Sequence, residues 1–169
     1  MLDCLGQVLV RDLHALSNEI RGYPADAEIW GTAPGISNSP GNLALHVCGN
    51  LQHYIGAHLG STGYVRDRQA EFGLGDVPRT ELLRRIDATI AVVEEVLPRA
   101  TEAQLAADFP EKVAGVTVNT ADFLLHLATH LGYHLGQIDY HRRLTTAQND
   151  PLQNVSVAAL KSARADAAS

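Results

Sequence analysis

Eight histidines occur in the 169-residue chain, and four of them fall in one stretch, HLATHLGYHLGQIDYH at 126–141. His126, His130 and His134 recur every four residues, and His141 follows seven later. In a helix each residue advances about 100°, so positions four apart rise one turn and shift by about 40°. These imidazoles and Gln137 therefore share a stripe, which is expected to face the interior, with Leu127, Leu131 and Ile138 on one edge and Tyr133 and Tyr140 on the other. A buried imidazole must find partners for both ring nitrogens or lose roughly a few kcal/mol to desolvation. Mutual hydrogen bonds satisfy several such rings poorly. A divalent metal ion takes a lone pair from each neutral ring and leaves the other N–H for a nearby acceptor.

An i, i+4 histidine pair with a third ligand from another helix keeps one position open for water or substrate. The segment that begins at Pro40 offers a polar strip of Asn42, His46, Gly49 and His53 beside its apolar side, so the third ligand is His46 or His53. If His53 or His126 supplies a fourth ligand, the site is closed and the ion structural. The other histidines have plainer readings: His126 lines the cavity, His141 complements the helix carboxyl end, His58 faces solvent or caps carbonyls, and His14 lies at the surface. A metal-free bundle with hydrogen-bonded histidines is the competing account. Cys48 lies about 200° around the helix from His46 and is not placed to share an ion with it. Hydrolysis by activated water needs a base, for which Glu71 and Asp67 stand nearest in sequence, although RDRQAE can equally form local ion pairs that order its loop.

The elements that position these groups are legible as four amphipathic helices. Leu2, Leu5, Leu9, Leu13, Leu16 and Ile20 define the first, over about 2–22. Ser39 caps a second that begins at Pro40, carries Leu43, Val47, Leu51, Tyr54 and Leu59, and exits left-handed at Gly60 or Gly63. The 61–78 connection is long and Gly-rich, the kind that is often functional. Leu82, Leu83, Ile86, Ile90, Val93 and Leu97 define a third helix over about 80–98, and Thr101 with Gln104 makes a capping box. EKVAGVTVNT at 111–120 reads as a short hairpin or extended arm, after which Asn119 or Thr120 caps the fourth helix, running to about 144. The fold class expected is all-α, a four-helix bundle over 1–148 with a tail at 149–169 that forms at most a weak helix near 155–165.

Composition narrows the partners. A formal charge of −6, from 13 basic and 19 acidic residues, gives no footprint for nucleic acid or an anionic membrane. Cys4 and Cys48 make neither a disulfide framework nor a thiolate zinc knuckle, and no stretch approaches the roughly 20 apolar residues of a membrane span, so a cytoplasmic protein acting on a small molecule is expected. Phosphate-binding and nucleophile-elbow motifs are absent from the sequence. Trp30, Tyr64, Phe72 and Tyr133 are candidates for lining a cavity.

NLALHVCGNLQHYIG, followed about eighty residues later by HLGYHLGQI, resembles the DinB-like (YfiT-like) metalloenzyme superfamily across most of the chain, and VRDRQAEF at 65–72 is similar to a segment of one branch. The resemblance selects His46, His130 and His134 as metal ligands. It leaves His53, His126 and His141 as neighbours and Gln137 as an acceptor for a ligand N–H. It implies a nickel, zinc or similar divalent ion with open positions, often in a homodimer. Relatives with known chemistry transfer or isomerise with mycothiol, bacillithiol or glutathione as co-substrate, which makes a thiol-dependent S-transferase acting on a small electrophile the expected activity. A metal-dependent hydrolase, or a non-catalytic metal- or ligand-binding stress-response protein, is the alternative.

Overall fold

The computed structural model describes residues 2–148, 152 and 155–164; the rest of the expected tail at 149–169 lies outside them. Four long helices carry the mass. They are α1 (Leu2–Arg21), α3 (Pro40–Leu51, prolonged by a π-helical segment over Gln52–Leu59), α5 (Arg79–Val96) and α7 (Thr120–Thr146), with short α2 (Asp26–Ile29), α4 (Arg68–Gly73) and α6 (Glu102–Ala106) between them. Among the long helices, α1 and α3 each pack on α5 and α7 far more than on each other, so each pair of consecutive long helices in α1→α3 and α5→α7 sits across the bundle rather than side by side. Both of those steps use long connections, at 22–39 and 97–119.

The core is continuous and apolar. Leu9, Leu13, Leu16 and Ile20 of α1 meet Leu43, Val47 and Leu51 of α3, Ile86 and Val93 of α5, and Leu124, Leu127, Leu131, Leu135 and Ile138 of α7. Burial of this kind, at about 25 cal/mol per Å², is the main term holding the bundle. Helix starts follow the expected caps. Ser39 Oγ accepts from Asn42 N at 3.1 Å ahead of Pro40, Thr101 and Gln104 exchange the two bonds of a capping box, and Asn119 Oδ1 accepts from Ala121 N at 2.9 Å.

The structure departs from the sequence reading in several places. The second helix stays α-helical only to Leu51, and Ile55, fully buried, replaces Tyr54 and Leu59 as its innermost residue in the widened stretch. Its exit is left-handed at Ser61 (φ 51°) and Gly63 (φ 73°) rather than at Gly60, whose missing side chain instead admits Val96. The 111–120 segment makes a tight antiparallel turn: Val113 and Val116 exchange two 3.0 Å backbone bonds, with Ala114 and Gly115 both at positive φ, as a mirror-image hairpin turn requires. A single 3₁₀ turn, Val157–Ala159, lies in the expected tail helix, whose last position, 165, falls outside the described residues. Among the described residues no helix is long and apolar enough to cross a membrane.

Candidate metal centre

Along α7 the buried apolar repeat is Leu124, Leu127, Leu131, Leu135 and Ile138, and the histidine stripe is offset from it by about 100°, one residue's advance. The stripe therefore borders the core instead of facing it. His126 and Gln137 are exposed, His130 and His134 are half-buried, and His141 alone is buried. Across the seam His46 projects from the buried side of α3. Its Nε2 lies 3.4 Å from His130 Nε2, and His134 Nε2 lies 3.1 Å from the same atom.

Three nitrogens thus converge, and the groups behind them determine which lone pairs point inward. Glu71 Oε2 lies 2.9 Å from His46 Nδ1, while Arg66 Nε and Nη2 donate to the two Glu71 oxygens at 2.6 and 2.8 Å. Burial alone would favour the neutral acid, but the hydrogen bonds from Arg66 and His46 outweigh it and hold the Glu71 carboxyl below its ordinary range. An ionised carboxylate only accepts, so His46 Nδ1 carries the proton and its Nε2 presents a lone pair. The 3.2 Å approach of Arg66 Nη2 to the same Nδ1 is then a contact between donors, with that guanidinium nitrogen already satisfied by Glu71. His134 Nδ1 lies 2.7 Å from Gln137 Oε1, the acceptor expected one turn on; donation there leaves the His134 Nε2 lone pair inward as well.

His130 is pushed down to about 4, first by burial and then by His134 and His46, so it is neutral at pH 7. Burial, reinforced by His46 and opposed by the Gln137 bond, lowers His134 too. At most one proton is then available to three facing nitrogens, an arrangement a cation relieves and a hydrogen-bond network does not. The spacing agrees: zinc–nitrogen bonds of about 2.0–2.1 Å at tetrahedral angles separate two nitrogens by about 3.3–3.4 Å. The ligand atoms of His46, His130 and His134 all lie within 4.8 Å of one another, a group able to hold a metal ion.

The local fold explains how Glu71 arrives. Asp67 caps α4 by accepting from Ala70 N at 2.9 Å, and Asn42 Nδ2 donates to Glu71 O and Leu74 O, at 3.1 and 2.7 Å, pinning α4 against α3. The polar strip Asn42, His46, Gly49 thus receives α4, and Phe72 of α4 packs its ring 4.9 Å from His46. Gly49 is required by close approach, because a Cβ there would collide with Glu71 Oε1. Gly49→Ala is accordingly expected to displace Glu71 and lower metal affinity about 10- to 100-fold, the usual effect of removing a ligand's supporting bond, while helix propensity itself improves by about 1 kcal/mol. Competition against a chromophoric chelator checks this, and an affinity equal to wild type would contradict it.

The remaining candidates separate cleanly. Glu71 and Asp67, the two sequence candidates for a base, are occupied behind His46 and at a helix cap. His53 does not reach the three-histidine group; it lies with His58 against Glu111. His126 stacks its ring between Phe123 and His130 at 5.9 and 5.7 Å. His141, assigned from sequence to the helix dipole, instead packs under Tyr23, whose hydroxyl lies 3.0 Å from its Nδ1. His14 is exposed as expected, and buried Cys48 has its thiol pushed up to about 12 by desolvation, so it is chemically quiet. A cavity of about 370 Å³ opens beside the centre, bounded by residues 35–38, Pro40, Leu43, Tyr133, His134, Gln137 and His141. Trp30 covers Gly41, and Tyr64 borders a different hollow on the far side of Glu71. Arg66, which holds Glu71 in place, was not singled out from sequence.

An all-helical bundle that gathers three histidines from two of its long helices is the class of protein these features define. The chain belongs to the DinB superfamily, whose pattern matches residues 10–138, and so covers α3, α4, α5 and the histidine pair of α7. No curated protein and no solved structure matches it.

Proposed function

We propose that His46, His130 and His134 are the protein ligands of a divalent transition metal, nickel or zinc, and that the chain is a metal-dependent S-transferase joining a low-molecular-weight thiol to a small electrophile. The observation that carries the reading is the convergence of three Nε2 atoms, two of them fixed as lone-pair donors by Glu71 and Gln137. A bound divalent ion supplies Lewis acidity that lowers the pKa of a ligated thiol and holds its sulfur for attack. The chain's own residues do the rest. Glu71, through Arg66, keeps His46 in one tautomer and one orientation, and Gln137 does the same for His134. His134 borders both the centre and the 370 Å³ cavity, while Pro40, Leu43 and Tyr133 give that cavity apolar walls suited to a small organic electrophile. Transfer is favoured over hydrolysis because neither Glu71 nor Asp67 is free to take a proton from water.

The test begins with protein purified without a nickel column. Its native metal is measured, and mycothiol, bacillithiol and glutathione are offered with an aryl halide as electrophile, the thiol sulfur displacing halide and the thiol proton passing to buffer. A thiol-dependent rate lost on chelation and restored by metal is the expected result. Stoichiometric metal with no thiol supporting turnover of any electrophile in the panel would overturn the transferase reading.

A further inference from the structure

The helix that carries His46 changes its winding immediately after Leu51. Over Gln52–Leu59 its hydrogen bonds close from i to i+5. Under α-helical winding His53 and His58, five residues apart, would point about 140° away from each other. The wider turn sets them on one side, with ring centroids 4.8 Å apart and planes at 82°. A third group comes from the 107–119 connection: Glu111 Oε2 lies 2.8 Å from His53 Nε2 and 2.7 Å from His58 Nε2. Wide turns of this kind are rare in helices and are frequently found at functional sites. This one spans the residues that hold both imidazoles.

We infer that His53, His58 and Glu111 form a second divalent transition-metal site, separate from the three-histidine group. Two imidazoles and one carboxylate are a donor set that zinc uses with a further position left to water, and imidazole ligands suit zinc, nickel and copper ions alike. The ligand atoms lie within 4.8 Å of one another, and the side chains are 22, 25 and 41% exposed, which gives an ion a route in and room for water to complete its shell. Tetrahedral coordination needs the two nitrogens and the oxygen to part to about 3.2–3.4 Å. Glu111, the most exposed of the three and carried on a turn-forming arm, can supply that half-ångström by rotation.

The ion would act as a clasp. It would fasten the 107–119 arm, with Phe109 packed 5.3 Å from the His58 ring, onto the widened end of the helix. Phe109 in turn meets Phe123 at 4.8 Å, and Phe123 stacks on His126 beside His130, so the clasp sits at the far end of a row of rings that reaches the three-histidine group.

Zinc ion alone is the probe. Full-length protein stripped with chelator and titrated with Zn²⁺ is expected to take up two equivalents by native mass spectrometry. His58→Ala and Glu111→Gln should each lose one equivalent, with that site's Kd rising about 100-fold or more, while His130→Ala loses the other. His58→Gln gives the same reading should Glu111→Gln lose its helical circular-dichroism signal. One equivalent in wild type, undiminished in His58→Ala and Glu111→Gln, overturns the second site and leaves the three-histidine proposal standing. Two equivalents retained by both variants overturn it as well. One equivalent that His58→Ala loses and His130→Ala keeps supports the second site and removes the first.

Discussion

Replacing His130 with alanine is expected to remove stoichiometric metal from the three-histidine centre, lowering its affinity about 100-fold or more. Structural zinc sites with four ligands bind with apparent free energies of about 10–16 kcal/mol, which averages to about 3 kcal/mol per ligand. His130 is also the nitrogen that both other rings face, at 3.4 and 3.1 Å. The ion-free protein should respond in the opposite sense. With His130 neutral, its proton affinity depressed mainly by burial, three nitrogens compete for at most one proton, and deleting one relieves that conflict. The stripped His130→Ala protein is therefore expected to be as stable as stripped wild type or more so, by about 1 kcal/mol, while in saturating zinc it is the less stable of the two. His126→Ala, which removes an exposed ring stacked on Phe123, should leave affinity unchanged. Unaltered metal content in His130→Ala would discard the ligand assignment, and a stripped variant much less stable than stripped wild type would discard the account of frustrated nitrogens.

That His126, His130 and His134 share a stripe was legible because one helix sets its geometry, four residues making about one turn whatever surrounds them. Spacing fitted His126 with His130 equally, and it was the resemblance that singled out His130 and His134 and gave Gln137 its role as acceptor. The caps at Ser39, Thr101 and Asn119 were legible for a similar reason, since each is satisfied within three residues of itself. What failed depended on contacts distant in the chain. Glu71 can be an exposed loop acid or the anchor of His46, and the docking of α4 through Asn42 makes it the anchor. The winding of 52–59 left no trace in the apolar spacing, so His53 was placed in the polar strip and His58 toward solvent, and Glu111 came from a segment read as a short hairpin or extended arm with no site residue in it. The direction of the α7 stripe was misjudged because histidine was counted with the core. The buried repeat, Leu124, Leu127, Leu131, Leu135 and Ile138, runs one residue out of phase with it.

Glu19→Ala is expected to produce the largest loss of fold stability, about 3–5 kcal/mol. Arg142, at the end of α7, is 1% exposed and donates through Nε to Glu19 Oε2 of α1 at 2.5 Å; Glu19 is 3% exposed. The guanidinium also reaches Gln148 O at 3.2 Å and Asp139 at 3.4 Å, and its stem passes Gly22, where a Cβ would approach Arg142 Cδ to 3.0 Å. Removing the carboxylate takes the shortest-range partner from a buried guanidinium, and the desolvated cation that stays behind, more than the lost attraction, sets the cost. At about 2–4 °C per kcal/mol for a chain of this size, the midpoint should fall by about 10 °C or more in a thermal melt. Glu19→Leu combined with Arg142→Met removes both charges together and is expected to recover most of that loss, since apolar groups of similar volume commonly replace a buried ion pair at little cost. The melts are to be run in saturating zinc, so that metal linkage is equal in every protein. Arg142 lies eight residues beyond His134, about 12 Å along the helix, so zinc stoichiometry should survive in both variants even as stability diverges. A single variant within 1 kcal/mol of wild type, or a double variant no more stable than the single, would show that the pair is not the clamp joining α1 to the end of α7.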